Sequence, residues 1–310
     1  MNPFFTVVIP VFNKEKYVGR ALESVLGQTY NDFEIIVVCD PSTDKSNEVV
    51  ERYSQSKVKV LYREQPGPGG YAARNLGIKH ARGQWIAFLD ADDIWLENHL
   101  EVAFSCINKY TGHKVYTCAR MLDESNVRKL DEFSKSQSAD NLSLSFYDYL
   151  QYSIKGRRAI NSNSVVIKKD ALNGYIWFPE GRADCSGDLY LWVYLLAHCE
   201  RFIWSSNVAS VSFRDVSDVS VNSLPNMQLN LDLFDEIKNL LNNDEIKSLK
   251  IYINRLNRMA WFVYAKKGIR EKSLRNYFYW GVGDNIYCLK WIGISILPVS
   301  LINKMRKLKR

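Results

Sequence analysis

The chain has 310 residues, of which 46% are hydrophobic and 24% charged, a balance that excludes a disordered or low-complexity protein. Its length allows a large buried core, as one domain with an appendage. The formal net charge of +7 does not indicate nucleic acid, because Lys304, Arg306, Lys307, Lys309 and Arg310 hold five of those charges at the C-terminus and leave only +2 for the rest. In chain order, "FTVVIPVF" has the near-continuous apolar run of a strand buried on both faces. Residues 14–28 then place Tyr17, Val18, Ala21, Leu22, Val25 and Leu26 on one helical face. "FEIIVVC" (33–39) is a second buried strand, Ser42 and Asp44 are helix-start residues, and Val49, Val50 and Tyr53 continue a helical stripe. "VKVLY" (58–62) is a third strand, and a Gly/Pro loop (66–70) leads into a helix near 72–81. "WIAFL" is the fourth strand. This alternation predicts an α/β fold with a mostly parallel sheet. Ligands of such sheets bind at the carboxyl ends of the strands, so Asp40 and Asp90 fall on one functional edge.

The second half is less regular. Residues 121–145 are polar and read as a flexible loop, "NSVVIK" (163–168) and "VASVSF" (208–213) as strands, and "GDLYLWVYLLAH" (187–198) as a helix that starts at Gly-Asp. From Leu224 onward helical stripes dominate, including Ile251, Leu256, Met259, Ala260 and Val263. The apolar run "WIGISILPVSLI" (291–302) contains Pro298 and is shorter than the roughly 20 residues a bilayer requires, so no transmembrane helix is expected. Its basic end suits an interfacial helix at an anionic membrane, and packing on the domain is the alternative. Cysteines 39, 106, 118, 185, 199 and 288 have no zinc-like spacing and, with no secretory signal ahead of the first strand, predict reduced thiols in a cytoplasmic protein. His80, His99, His113 and His198 have no metal-ligand spacing and read as ordinary helix or surface residues.

"FLDADD" (88–93) sets three carboxylates within four positions at the end of a buried strand. Either they form a solvated turn in which Asp92 or Asp93 caps the helix beginning near Leu96, or a divalent cation and its phosphates neutralise them. "GPGGYA" (67–72) fits a dinucleotide fingerprint only superficially, since Arg63 to Pro66 separate it from its strand and Pro68 interrupts it. No G-x-x-x-x-G-K-[ST] loop occurs.

Taken together, "VVIPVFNKEKYVGRALESVLGQTY", "EIIVVCDPSTDKS", "GYAARNLGIKHARGQWIAFLDADD" and "GDLYLWVYLL" resemble the inverting family 2 glycosyltransferases of GT-A fold over about residues 4–215. The resemblance implies a catalytic domain over 1–215, with a nucleotide-sugar half at about 1–93 and an acceptor half at about 94–215. A helical extension with a basic tail then covers 216–310. It implies transfer of a sugar from a nucleoside-diphosphate sugar, UDP-sugar foremost, to a hydroxyl of a glycan or glycolipid in bacterial surface-polysaccharide synthesis, with Mn²⁺ or Mg²⁺. Asp40 matches the acid that holds the nucleotide base, and Pro10 and Val11 line that pocket. Arg74 and Asn75 match the "ARN" beside the donor; Asp90, Ala91 and Asp92 match the D-x-D motif, with Asp92 and Asp90 toward the metal; Asp188 matches the catalytic base. The resemblance selects the cation over the solvated turn, since Mg²⁺ or Mn²⁺ is held by one or two carboxylates plus substrate phosphates.

Two departures stand out. The family's "DDGS" is Cys39-Asp40-Pro41-Ser42, and its "ED" is Gly187-Asp188. Arg157 and Arg158 read as a solvated basic pair ahead of an acceptor contact, Arg214 equally as a diphosphate contact or a structural ion pair, and Trp177, Phe178 and Glu180 as acceptor lining or core. A polyprenyl-phosphate glycosyltransferase is the rival enzyme, and a binding-only relative the rival outside enzymes.

Overall fold

The computed structural model describes residues 2–54, 57–172, 177–215, 223–269, 273–298 and 301. The apolar runs become strands β1 (Phe5–Val11), β2 (Phe33–Cys39), β3 (Val58–Tyr62) and β4 (Trp85–Phe88). They pair in parallel in the order β3-β2-β1-β4. Every residue of β2 and β4 is buried, because helices cover both faces. Helices α1 (Val18–Leu26), α2 (Ser46–Glu51) and α3 (Tyr71–His80) make the crossovers. Gly77 of α3 lies so close to β1 that a Cβ there would meet Val8 Cγ1 at 2.3 Å, which fixes how tightly this helix seats.

Beyond β4 the sheet is mixed. After β5 (Ile94–Trp95) and α4 (His99–Lys109) come β6 (Val115–Glu124), β7 (Val127–Leu130), β8 (Asn141–Ser145), α5 (Phe146–Ile154), β9 (Val166–Lys168), α6 (Gly187–Ala197) and β10 (Arg201–Phe213). β9 runs antiparallel between β4 and β6, while β6 and β10 are parallel. The expected loop over 121–145 is therefore corrected: it contains the end of β6, a hairpin to β7, and β8 paired with β10. Ser125 and Asn126, at φ 54° and 63°, make the hairpin turn, and Arg128 closes on Asp123 across it at 3.0 Å. Its polarity reflects two wetted strands.

Helices α7 (Met227–Ile237) and α8 (Asn243–Lys266) follow. Leu229, Leu233, Leu249 and Tyr252 join the same core as Tyr149 and Trp192, so the C-terminal helices are packed onto the α/β unit. The later part of α8 forms a second cluster, with Trp261 and Tyr264 against Leu274 and Phe278 of the following segment and Cys288 of α9 (Asn285–Ser295). No helix among the described residues is long and apolar enough to cross a membrane. All six cysteines are free thiols, and the five cations of the extreme tail lie outside the described residues.

His99 is fully buried at the start of α4, its ring stacked on Trp95 with centroids 4.0 Å apart. Burial pushes its pKa down to about 3. Between about pH 6.5 and 3 the unfolded chain binds a proton that the folded chain refuses, so stability falls as pH drops, by about 1.4 kcal/mol per pH unit from this residue. Above pH 6.5 that contribution is complete. His99→Phe keeps a ring against Trp95 and is expected to flatten the pH dependence of chemical denaturation by that amount; an unchanged slope would refute the assignment.

Candidate active site

The site is built on the carboxyl edge of β1, β2 and β4. Asp40 follows β2 directly, and its backbone N–H donates to Val11 O at 2.9 Å, which brings the ends of β1 and β2 together. Its carboxylate is 2% exposed: Arg63 Nη1 donates to one oxygen at 2.6 Å and the Gly67 N–H to the other at 3.1 Å. Cys39, beside it, is packed in the core, and burial pushes its thiol up to about 12. Pro41 carries the chain into a turn where Ser42 Oγ donates to Asp40 O and Asn13 N–H donates to Ser42 Oγ, both at 3.1 Å. The β1–α1 and β2–α2 loops are thereby knit together. Pro10, half-buried, faces Gly70, where a Cβ would come within 3.5 Å of it.

The glycine loop that mimics a dinucleotide fingerprint is a short 3-10 turn at Pro68–Gly70, with Gly69 and Gly70 at φ 65° and 66°. It serves Arg74, whose Nη1 donates to Gly69 O at 2.8 Å while Nη2 pairs with Asp90. Asn75, next on α3, grips the segment around Phe178: Nδ2 donates to Phe178 O at 3.0 Å and to Glu180 Oε2 at 3.3 Å, and Oδ1 accepts from Phe178 N–H at 3.0 Å. It clamps the segment that precedes α6. Phe178 is core, packed on Tyr71, Phe88 and Trp192.

The acids of "FLDADD" separate into three environments. Asp90 is about a third exposed and pairs with Arg74. Asp92 is 2.8 Å from Lys14 Nζ of the β1–α1 loop; burial first and then the neighbouring Asp90 charge raise its pKa, against the pull of Lys14. Asp93 is 5% exposed, accepts from Asn163 Nδ2 and from Phe213 N–H at 2.7 Å, and is pushed up to about 8 by burial and by the Asp90 and Asp92 charges. The capping alternative for Asp92 or Asp93 does not hold, because α4 starts later, after Asn98. Asn163 is the hub that sequence reading missed. Its Oδ1 accepts from Asp90 N–H at 2.7 Å, and its carbonyl accepts from Trp95 Nε1 at 2.8 Å. Asp90 and Asp92 lie on one turn, repel each other and offer only oxygen, a donor set that fits Mg²⁺ or Mn²⁺ completed by substrate phosphate and water. Among the described residues no group of three or more His, Cys, Asp or Glu forms an all-protein metal cage.

Asp188 lies in the first turn of α6, one residue after Gly187. Gly187 N–H donates to Tyr71 Oη at 2.7 Å, so the first residue of α3 holds the start of α6. A Cβ at 187 would meet Pro179 Cγ and Tyr71 Cζ at 2.8 Å, which accounts for glycine where an acid was expected. Burial raises the Asp188 pKa, offset by Arg158 and Arg74. Arg158 is therefore not a solvated partner of exposed Arg157: it is half-buried among Tyr252, Tyr149 and Asp188. Arg214 sits one residue past β10, its N–H donating to Asp123 O at 2.9 Å. Asp90, Arg74, Asp188 and Arg158 thus lie in electrostatic reach of one another, while Asp40 stands apart with Arg63.

The glycosyl transferase family 2 model matches residues 6–164, which takes in β1 to β4, the acidic turn and Asn163. This chain belongs to glycosyl transferase family 2. Similar curated members include glycosyltransferase GlyA of Streptococcus pneumoniae, 41% identical over 106 residues (34% of this chain and 15% of GlyA). Another is the Escherichia coli UDP-Glc:alpha-D-GlcNAc-diphosphoundecaprenol beta-1,3-glucosyltransferase WfgD, 39% identical over 104 residues (34% of this chain and 41% of WfgD). The matched stretch spans less than half the length of either relative. Among solved structures, S. aureus TarS 1-349 in complex with UDP-GlcNAc superposes with TM-score 0.70 at 20% identity, over 96% of this chain and 82% of that one. A Pyrobaculum calidifontis mannosyltransferase in complex with GDP-Man and Mn²⁺ gives 0.55 at 16%, over 99% and 80%. At these identities the two structures establish the shared GT-A fold of this family 2 member.

Proposed function

We propose that this family 2 member is an inverting glycosyltransferase that moves a sugar from a nucleoside-diphosphate sugar, UDP-sugar first, to a hydroxyl of a glycan or glycolipid. The observation that carries this is the Arg74–Asp90 pair just past β4, whose charges both act on Asp188 at the start of α6: a carboxylate turn for the diphosphate and a second carboxylate within its electrostatic reach. In this reading Asp40, Pro10 and Val11 form the base pocket, and Arg74 steadies the diphosphate while Asn75 holds the pocket wall through Phe178. Asp188 accepts the proton of the attacking hydroxyl; the new glycosidic bond forms as the anomeric carbon–diphosphate bond breaks on the opposite face. A divalent cation at Asp90 and Asp92, with Ala91 between them, would supply charge neutralisation for the departing diphosphate. The proposed division is a catalytic domain over 1–215, donor half 1–93 and acceptor half 94–215, with 216–310 as a helical extension.

UDP with Mn²⁺ is expected to raise folded-state stability by about 2.7 kcal/mol at a concentration 100 times its dissociation constant. Asp40→Ala should abolish that gain in thermal melts. A wild-type melt indifferent to UDP, or a variant that responds as strongly, would refute the donor pocket.

Peripheral membrane contact is part of the same reading. α9 presents Ile286 at 86% and Leu289 at 62% exposure, Ile296 just beyond it is 76% exposed, and the five cations follow in sequence. Each cation contributes roughly 1 kcal/mol at an anionic leaflet. Deleting residues 303–310 is expected to reduce sedimentation with phosphatidylglycerol vesicles in low salt; equal sedimentation of both forms would remove the membrane role.

A further inference from the structure

Arg120 lies on β6 opposite Ser210 of β10, with its side chain 17% exposed. Its Nε is buried without a hydrogen-bond partner. Among the described residues, the one carboxylate within 4.0 Å of Arg120, Arg158 or Arg214 is Asp131, 4.0 Å from that Nε. Asp131 already accepts from Phe133 N–H at 2.9 Å, Ser134 N–H at 3.1 Å and Ser134 Oγ at 2.7 Å. Asp93 also faces Arg120, but its oxygens are taken by Asn163 and the Phe213 N–H. The Arg158 and Arg214 charges both oppose that of Arg120, and the Asp188 carboxylate supports the charge of Arg158.

These arginines come from three places in the fold. Arg120 is on β6, Arg214 is fixed by its backbone bond to Asp123 at the end of β10, and Arg158 is carried by the segment after α5. That segment is seated on β6 by Thr117 Oγ1 donating to Ala159 O at 3.3 Å. Like charges gathered in a partly dry setting repel, and among the described residues no carboxylate within hydrogen-bond distance neutralises them. Guanidinium forks suit the oxygens of a phosphoryl group, which they bind in pairs of charge-assisted bonds.

We propose that Arg120, Arg158 and Arg214 form a subsite for a phosphoryl group on the acceptor, beside Asp188. The proposal rests on the glycosyltransferase reading above and names the acceptor's chemistry: a sugar carrying a diphosphate, or one joined through a phosphodiester. The subsite seats the phosphoryl group and so sets the distance of the acceptor hydroxyl from Asp188.

The test is calorimetric titration of inorganic pyrophosphate, and separately of dimethyl phosphate, into the full chain saturated with UDP, with Mg²⁺ in excess and ionic strength held constant. At least one of the two is expected to bind the UDP-loaded protein. Arg214→Ala, at an exposed position, and Arg158→Gln should each weaken it roughly 10–100-fold, the loss of a hydrogen bond to a charged group, with UDP affinity unchanged. Preference for pyrophosphate assigns a diphosphate-linked acceptor and preference for dimethyl phosphate a phosphodiester one; either supports the subsite. Binding of neither ligand, or equal binding by wild type and Arg214→Ala, overturns it. Arginine-dependent phosphate binding by a protein that ignores UDP would instead refute the donor reading and leave the anion subsite standing.

Discussion

Asp188→Asn is expected to lose roughly 10²–10⁴-fold in turnover, the usual contribution of a general base, while keeping its fold and its affinity for UDP. The competing role for Asp188 is electrostatic, since an acid in the first turn of α6 stabilises the helix dipole by about 0.3–1 kcal/mol. It is not the N-cap: Ser186 occupies that place and makes no side-chain cap bond. Asparagine keeps the shape of the side chain and loses its basicity, so the melt changes little under either role and turnover separates them. The pH profile gives a second readout. Burial raises the Asp188 pKa above its ordinary 3.8, with Arg158 and Arg74 pulling back. A base works when deprotonated, so transfer should fall as pH drops through that raised value, and the acid limb of kcat/KM should vanish in the variant. Near-normal turnover in Asp188→Asn would leave only the dipole role and favour a lipid-phosphate acceptor, which needs little base catalysis.

The first four strands were legible because strands buried on both faces must be apolar throughout. β1, β2 and β4 therefore announce themselves, and the acids just past β2 and β4 fall on the carboxyl edge of the sheet. The stretch after β6 hid itself for the opposite reason. β7 and β8 are wetted and polar, and their hairpin turns on Ser125-Asn126, a weak signal beside Asn-Gly. Arg158 reads as half of a basic pair in sequence; only the fold of α8 brings Tyr252 over it and α6 brings Asp188 beside it. Asn163 and Lys14 were also beyond reach. One polar residue at the start of a strand and one lysine in a loop carry no periodic signal, and their partners lie 70 and 78 residues away in sequence. Tyr71 fell between the expected loop (66–70) and helix (72–81), yet its hydroxyl fixes the start of α6.

Chelation with EDTA is expected to abolish transfer, and Asp92→Asn to weaken Mn²⁺ binding by at least the roughly 10–100-fold that loss of a mere supporting group costs a metal site. Mn²⁺ binding is read by electron paramagnetic resonance on the UDP-loaded protein, so the result does not depend on activity. The rival is already in place: Lys14 sits 2.8 Å from Asp92 and Arg74 pairs with Asp90, so the acidic turn has cationic partners of its own. If those two side chains neutralise the diphosphate, EDTA leaves UDP affinity untouched and Lys14→Gln weakens it. If the cation does so, EDTA weakens UDP binding. Lys14→Gln then preserves or strengthens Mn²⁺ binding, because a competing positive charge has left Asp92 while its pKa, raised by burial and by Asp90, still marks a carboxylate short of compensating charge. The sign of the Lys14→Gln effect on Mn²⁺ therefore discriminates the two arrangements, since repulsion between Lys14 and a bound cation opposes binding and removal of a phosphate ligand does not improve it.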